Sequence, residues 1–307
     1  MATIRTNSRI QLRGAAAGVS LALAIMGCVD SRSGGDNAAR LAQQQKAVRD
    51  GAILHQAVQP AIGTDAELTQ YLQLMGTRLL DGARQSGATV PADVQFFVAI
   101  SPVHNVITPG GQSIYITSGL LQQCAGEDDV AAALAHGLAH LIDRHAQRRT
   151  PPDSSDPVVL TLVMTSASAS PSPAEEAQAD RDGLQYFAHA GWNPDKYPDI
   201  LVHAGNRDNG RIQDIRQQAD QLKGAARAWR KPPVADDRGF AQIQQRLGSG
   251  RQSDDRAAQI LAAFPGCFTT IDQSEQTDAR KRLTEMLPQT DLHVHHGLGA
   301  GGAPSNQ

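Results

Sequence analysis

The sequence predicts an α+β fold, mostly helical, in which a small β-sheet or hairpin packs beside one histidine-bearing helix. Two stretches repeat apolar residues at three- and four-residue steps: Leu68, Leu72, Met75 and Leu79 in one, and Val130, Leu134, Leu138 and Leu141 in the other. That is the period of a helix with a buried face. Between them lie short runs rich in β-branched and aromatic residues, Val94 to Ile100, Val106 to Thr108 and Ser113 to Thr117, which read as strands. A further helix start is written at Ser172-Pro173-Ala174-Glu175, with Ser as N-cap, Pro at the first helical position and Glu closing a capping box.

Taken in order, the chain opens with Arg5, Arg9 and Arg13 before a small-apolar run from Ala15 to Gly27, the pattern of an export signal too short to span a bilayer. The run ends Ile25-Met26-Gly27-Cys28 and resembles a bacterial lipobox. The resemblance implies cleavage before Cys28, lipidation of its thiol and, with Val29 following, an outer-membrane anchor facing the periplasm. A plain secretory signal and a soluble periplasmic product is the alternative. Residues 28–39 are polar and suit a tether, with order beginning near Arg40. Thr64-Asp65-Ala66-Glu67 is a capping-box pattern that starts a helix at about 65–85. Pro109-Gly110-Gly111 joins the second and third strand-like runs as a hairpin turn. A helix from Gly126 to Arg149 comes next, with Glu127, Asp128 and Asp129 in the first turn, where carboxylates suit the helix dipole.

Residues 150–174 are rich in Pro and Ser around the apolar run Val158 to Met164, and the helix opened at Ser172 ends near Gly191. The polar stretch 202–250 reads as peripheral helices anchored by Ile212, Ile215, Leu222, Trp229 and Ile243, and two short helices succeed it at 254–263 and 277–287. The domain assignment is thus a signal at 1–27, a tether at 28–39, a main domain at 40–200, its helical continuation at 201–287 and a flexible tail at 288–307. That tail holds His293, His295 and His296.

Composition narrows the function classes. With 307 residues, 40% hydrophobic and 19% charged, the chain is ordinary for a globular protein. A net charge of -3 and no long basic block exclude nucleic acid as an expected partner. In an oxidising compartment Cys124 and Cys267 are a candidate disulfide. Two separate buried thiols are the other reading.

The chemistry-bearing stretch is His136-Gly137-Leu138-Ala139-His140. Residues four apart on a helix lie about 40° round from one another, so two imidazoles can converge on one metal ion at about 2.0–2.1 Å. In zinc peptidases the same spacing carries a Glu directly after the first His, which takes a proton from the metal-bound water. Here that position is Gly137. The strongest downstream candidate for a third ligand is Glu176, with Asp180 four residues on, placed to support a ligand imidazole.

These residues resemble the envelope zinc metallopeptidases of family M-48, of the HtpX, BepA, LoiP and Oma types, over roughly residues 60–200. The family's hairpin motif is matched by Asn105, Pro109-Gly110-Gly111, Tyr115, Thr117 and Gly119-Leu120-Leu121, with one residue fewer between Asn and Pro. Its Glu-x-x-Ala-Asp element is matched by Glu176 to Asp180, followed by Arg181, Gly183 and the Ala190-Gly191-Trp192-Asn193-Pro194 turn. The resemblance implies a zincin-like metallopeptidase domain holding one zinc ion per chain on His136, His140 and Glu176, with Asp180 in support. By the same resemblance Arg144 and His145 close the helix motif in non-ligand roles; as residues they read as helix-surface and capping groups.

The departures are Gly137 at the general-base position, Pro173 where the family has Arg, and a later His-Pro…Arg element answered only by Gly250-Arg251…Arg256. Losing a positioned acid or base forfeits about 10²–10⁴ in rate. The expectation is therefore a zinc-binding but catalytically impaired envelope lipoprotein, acting in quality control or as a chaperone on unfolded or misassembled envelope proteins. A hairpin edge at Gly110, Gly111 and Tyr115 would hold an extended client. The alternatives are a working endopeptidase in which Asp143 or Glu175 relays the proton, and a structural lipoprotein without metal.

Overall fold

The computed structural model describes residues 31–145, 161, 164–165, 169–203, 209–247, 255–265 and 276–287. Residues 1–40 and 41–307 are separate compact units. In the first, the described part is the opening of a helix; the sheet, the other helices and the packed interior belong to the second. Cys28, Cys267, the Gly250-Arg251 pair, most of the Val158 to Met164 run and the 288–307 tail lie outside the described residues. Among the described residues no helix is long and apolar enough to cross a membrane.

The α-helices that build the domain are α1 Ser31–Val58, α2 Ala66–Gln85, α3 Ser118–Gln123, α4 Glu127–Ile142, α5 Pro173–His189, α6 Tyr197–His203, α7 Asn209–Trp229, α8 Asp237–Leu247, α9 Asp255–Ala263 and α10 over 276–287. The strands are β1 Gln95–Ala99, β2 Val106–Ile107 and β3 Ser113–Thr117, in the order β1-β3-β2. The fold is α+β and mostly helical, as expected. Helix α1 begins at Ser31, inside the stretch read as a tether. The run Ala38 to Lys46 consists of strong helix formers, and cooperative propagation carries the helix back through Gly and Ser that would not start one.

The hairpin read at 106–117 is present, with Val106 opposite Ile116 and Ile107 opposite Tyr115, antiparallel. Strand β1 joins the same sheet parallel to β3, Gln95 opposite Ser113 and Ala99 opposite Thr117. Side chains alternate across the sheet. Phe96, Val98, Val106, Ile114 and Ile116 face a core shared with α2, α4 and α5. Ala99, Ile107 and Tyr115 face a second core built with Leu54 and Val58 of α1 and with α9 and α10.

Helix α4 is buried all round, from Val130 through Leu141, so its histidines occupy the interior. Its first turn is anchored by Glu127, 7% exposed. That carboxylate accepts from Trp192 Nε1 at 3.0 Å and from the backbone N–H groups of Val234 at 2.9 Å and Ala235 at 2.6 Å. Arg78 Nη1 lies 3.9 Å from it, while the guanidinium stacks 3.9 Å over the Trp192 ring. Glu127→Ala leaves three donors without their acceptor, and stability is expected to fall by about 3 kcal/mol. A urea midpoint that does not move would show that these donors find other partners.

Candidate metal centre

The centre lies where α5 meets α4. Ser172 accepts from the backbone N–H of Glu175, and the Glu175 carboxylate accepts from Ser172 N at 2.8 Å, closing the capping box that the sequence predicts. Pro173 fits at the first helical position. Helix α5 can approach α4 because residue 183 is glycine. A Cβ there would stand 2.3 Å from Tyr197 Oη and 3.0 Å from both N and Cα of His136. The spacing of Glu176, Asp180 and Gly183 sets all three on one face of α5.

That face meets the imidazoles. His136 Nε2 and His140 Nε2 are 3.0 Å apart, Glu176 Oε2 is 3.4 Å from His136 Nε2, and Glu176 Oε1 is 3.4 Å from His140 Nε2. Among the described residues these three form a group able to hold a metal ion. Ligands bound at about 2.0–2.1 Å in a tetrahedron stand about 3.3–3.4 Å from one another, and each imidazole's approach to the Glu176 carboxylate matches that spacing, with one donor atom from each of the three residues lying within 4.8 Å of the others. The chemistry of the donors agrees. His136 Nδ1 lies 2.9 Å from Asp180 Oδ1; an ionised carboxylate only accepts, so it favours the proton on Nδ1 and, in a neutral ring, the lone pair on Nε2, the atom in the triangle. The histidines are 1% and 2% exposed. Lone pairs and a carboxylate gathered out of water call for a cation.

Electrostatics keep both carboxyl groups ionised. Burial alone would raise the Glu176 carboxyl, but hydrogen bonds and charge from His136 and His140 outweigh it and hold the group well below the usual carboxylate range. Asp180 is likewise lowered against its burial, by His136 and by Arg211. Arg211, on α7, donates through Nε to Asp180 Oδ2 and through Nη2 to Glu176 Oε2 at 3.2 Å. Sequence reasoning passed over Arg211. The available signal was its position four residues before Ile215 and eight before Ala219, on the stripe that α7 buries.

The place of the general base is filled from the sheet. A Cβ on Gly137 would stand 2.5 Å from Val106 Cγ1, with Thr108 Cγ2 at 3.6 Å and Ile114 Cγ2 at 3.7 Å beyond it. The two candidate substitutes both sit at helix ends. Glu175 closes the capping box, and Asp143 is the C-cap residue of α4, where its charge adds to the burial that raises Tyr186.

Three further expectations change. Tyr115 is on the central strand and not an edge; it is 1% exposed, with its hydroxyl 2.8 Å from His55 Nδ1 and its ring stacked on Phe97. Gly110 and Gly111 do make the turn, with φ of 105° and 71° that favour glycine. Gly111, however, is buried, and a Cβ on it would stand 3.1 Å from Ala47 O and 3.2 Å from Gly51 Cα of α1, so this end of the hairpin is covered. Cys124 is a buried free thiol.

His145 is the third, since it is fully buried and not a surface group. Helix α4 ends in a Schellman motif: Arg144 N donates to Leu141 O at 3.2 Å and His145 N to His140 O at 3.1 Å, with Arg144 at φ 58°. An L-residue there costs about 1 kcal/mol relative to the Gly usually found. The motif normally packs an apolar side chain back onto the last turn. Here it returns the His145 ring to His140, centroids 4.9 Å apart and Nδ1 to Nδ1 2.8 Å.

Two histidines one turn apart on a buried helix, a glutamate from a second helix and a small sheet beside them define a zincin-like metallopeptidase domain. The chain matches the model of "Peptidase family M48" over residues 67–172, about a third of its length. It is similar to the Beta-barrel assembly-enhancing protease of Yersinia pestis, 23% identical over 221 residues, covering 59% of this chain and 45% of that protein. The protein of the same name from Escherichia coli (strain K12) is 24% identical over 162 residues, 45% of this chain and 32% of the relative. The Mitochondrial metalloendopeptidase OMA1 of Schizosaccharomyces pombe is 34% identical over 55 residues, 18% of this chain and 16% of its own length. The chain thus spans less than half the length of each of these curated relatives.

Proposed function

We propose that this chain is a zinc-binding pseudopeptidase of the bacterial envelope, which engages unfolded or misassembled envelope proteins without cleaving them efficiently. The observation that carries the reading is a divided site: the donor triangle has the dimensions of a metal cradle, while the position of the base is glycine and the space beside it is taken by Val106. A bound zinc ion supplies Lewis acidity and activates water. His136, His140 and Glu176 hold the ion, Asp180 orients His136, and Arg211 offsets the charge of the two carboxylates. No side chain extends from position 137 to take a proton.

The export signal supports an envelope location, and the lipobox resemblance supports an anchor at Cys28 in the outer membrane. The names of the relatives support clients among assembling β-barrel proteins.

The test is metal analysis of the purified chain together with a cleavage assay. Zinc near one per chain, lost in His140→Ala, and casein left intact are expected. Cleavage abolished by a chelator would overturn the pseudopeptidase reading, and wild-type protein without zinc would overturn the metal.

A further inference from the structure

A neutral imidazole has one N–H and one lone pair, and the group facing one nitrogen decides which atom carries which. His140 directs Nε2 into the donor triangle, 3.0 Å from His136 Nε2 and 3.4 Å from Glu176 Oε1. Its lone pair belongs there, so its proton belongs on Nδ1. The atom facing that proton at 2.8 Å is Nδ1 of His145. We infer that His145 is the positioning residue of the second metal ligand. Its Nδ1 accepts from His140 Nδ1–H, fixes the tautomer that turns Nε2 to the metal, and is itself held in place by the Schellman turn through Arg144.

The two ligand imidazoles are then supported unequally. His136 leans on an ionised carboxylate, itself paired with Arg211. His140 leans on a second imidazole. Ligand histidines ordinarily donate to a carboxylate, a carbonyl or water. The backbone explains the exception, because the motif sets residue 145 directly over residue 140, and a histidine at that position presents an acceptor where an apolar residue would present none.

The inference rests on the metal reading above, and its test separates the two. Zinc affinity of the full chain is measured by competition with a chromophoric chelator for the wild type, His145→Leu and His145→Asn. The Asn side chain returns an acceptor oxygen near the place of Nδ1. Two-bond ¹H–¹⁵N spectra of the zinc-loaded wild type report the His140 tautomer independently of any variant. Expected are a loss of about 10–100-fold in zinc affinity for Leu, recovery to within about threefold for Asn, and His140 as the Nδ1–H tautomer. Equal affinity of wild type and His145→Leu, or a proton on His140 Nε2, overturns the inference alone. A wild-type chain that binds no zinc overturns the metal reading and this inference with it.

Discussion

Gly137→Glu alone is expected to yield no chelator-sensitive proteolysis and to lower stability by about 1–3 kcal/mol, because the added side chain overpacks a filled site. The obstruction is Val106 Cγ1, 2.5 Å from where the new Cβ must stand. Val106 is fully buried, paired with Ile116 in the sheet and β-branched, so it cannot rotate aside at little cost. The paired variant Gly137→Glu with Val106→Ala clears that carbon and admits a carboxylate beside the donor triangle. Casein cleavage in the pair is expected at about 10² times the wild-type background or more, the range that a positioned base contributes, and a chelator should abolish it. Activity in the single variant would show that Val106 is no barrier. Silence in both would show that more than the base and its space has been lost.

The donor triangle was legible in the sequence, while its surroundings largely were not, and the division has a physical cause. Four-residue spacing on a helix fixes which side chains share a face, so His136 and His140, and separately Glu176 and Asp180, could be read as pairs before any tertiary contact was known. The capping box fixed where α5 starts, and the family resemblance joined the two helices. Val106, Arg211 and His145 act across elements. Val106 was read only as part of a strand, since nothing in a hairpin pattern states which carbon fills a neighbour's missing side chain. His145 was read as a surface and capping group because the 3.6 period does not continue past Ile142; a left-handed residue at 144 turns the chain back. Tyr115 was assigned to a substrate edge from its motif, but strand order is a property of the sheet, and β3 is its middle strand.

Gly183→Ala is expected to lower zinc affinity at least about 10²-fold and stability by about 3 kcal/mol, an overpacking loss at the upper end because little around it can yield. Two of the three atoms nearest the added carbon are main-chain atoms of His136 at 3.0 Å, and the third is the buried Tyr197 hydroxyl at 2.3 Å. Helix α5 must therefore back away from α4. Glu176 and Asp180 ride on the same face, so the 2.9 Å contact of His136 with Asp180 and both 3.4 Å approaches of Glu176 open together. Gly82→Ala provides the comparison. A carbon there meets Tyr186 O at 2.3 Å and Ala190 N at 2.7 Å, so it overpacks the far end of α5 against α2, about two turns or more beyond Glu176. It should destabilise comparably, yet weaken zinc binding far less. If the two variants lose affinity in proportion to their loss of stability, the metal centre depends only on general tightness of packing. A disproportionate loss in Gly183→Ala shows that the absent methyl group at 183 sets the distance between the two ligand helices.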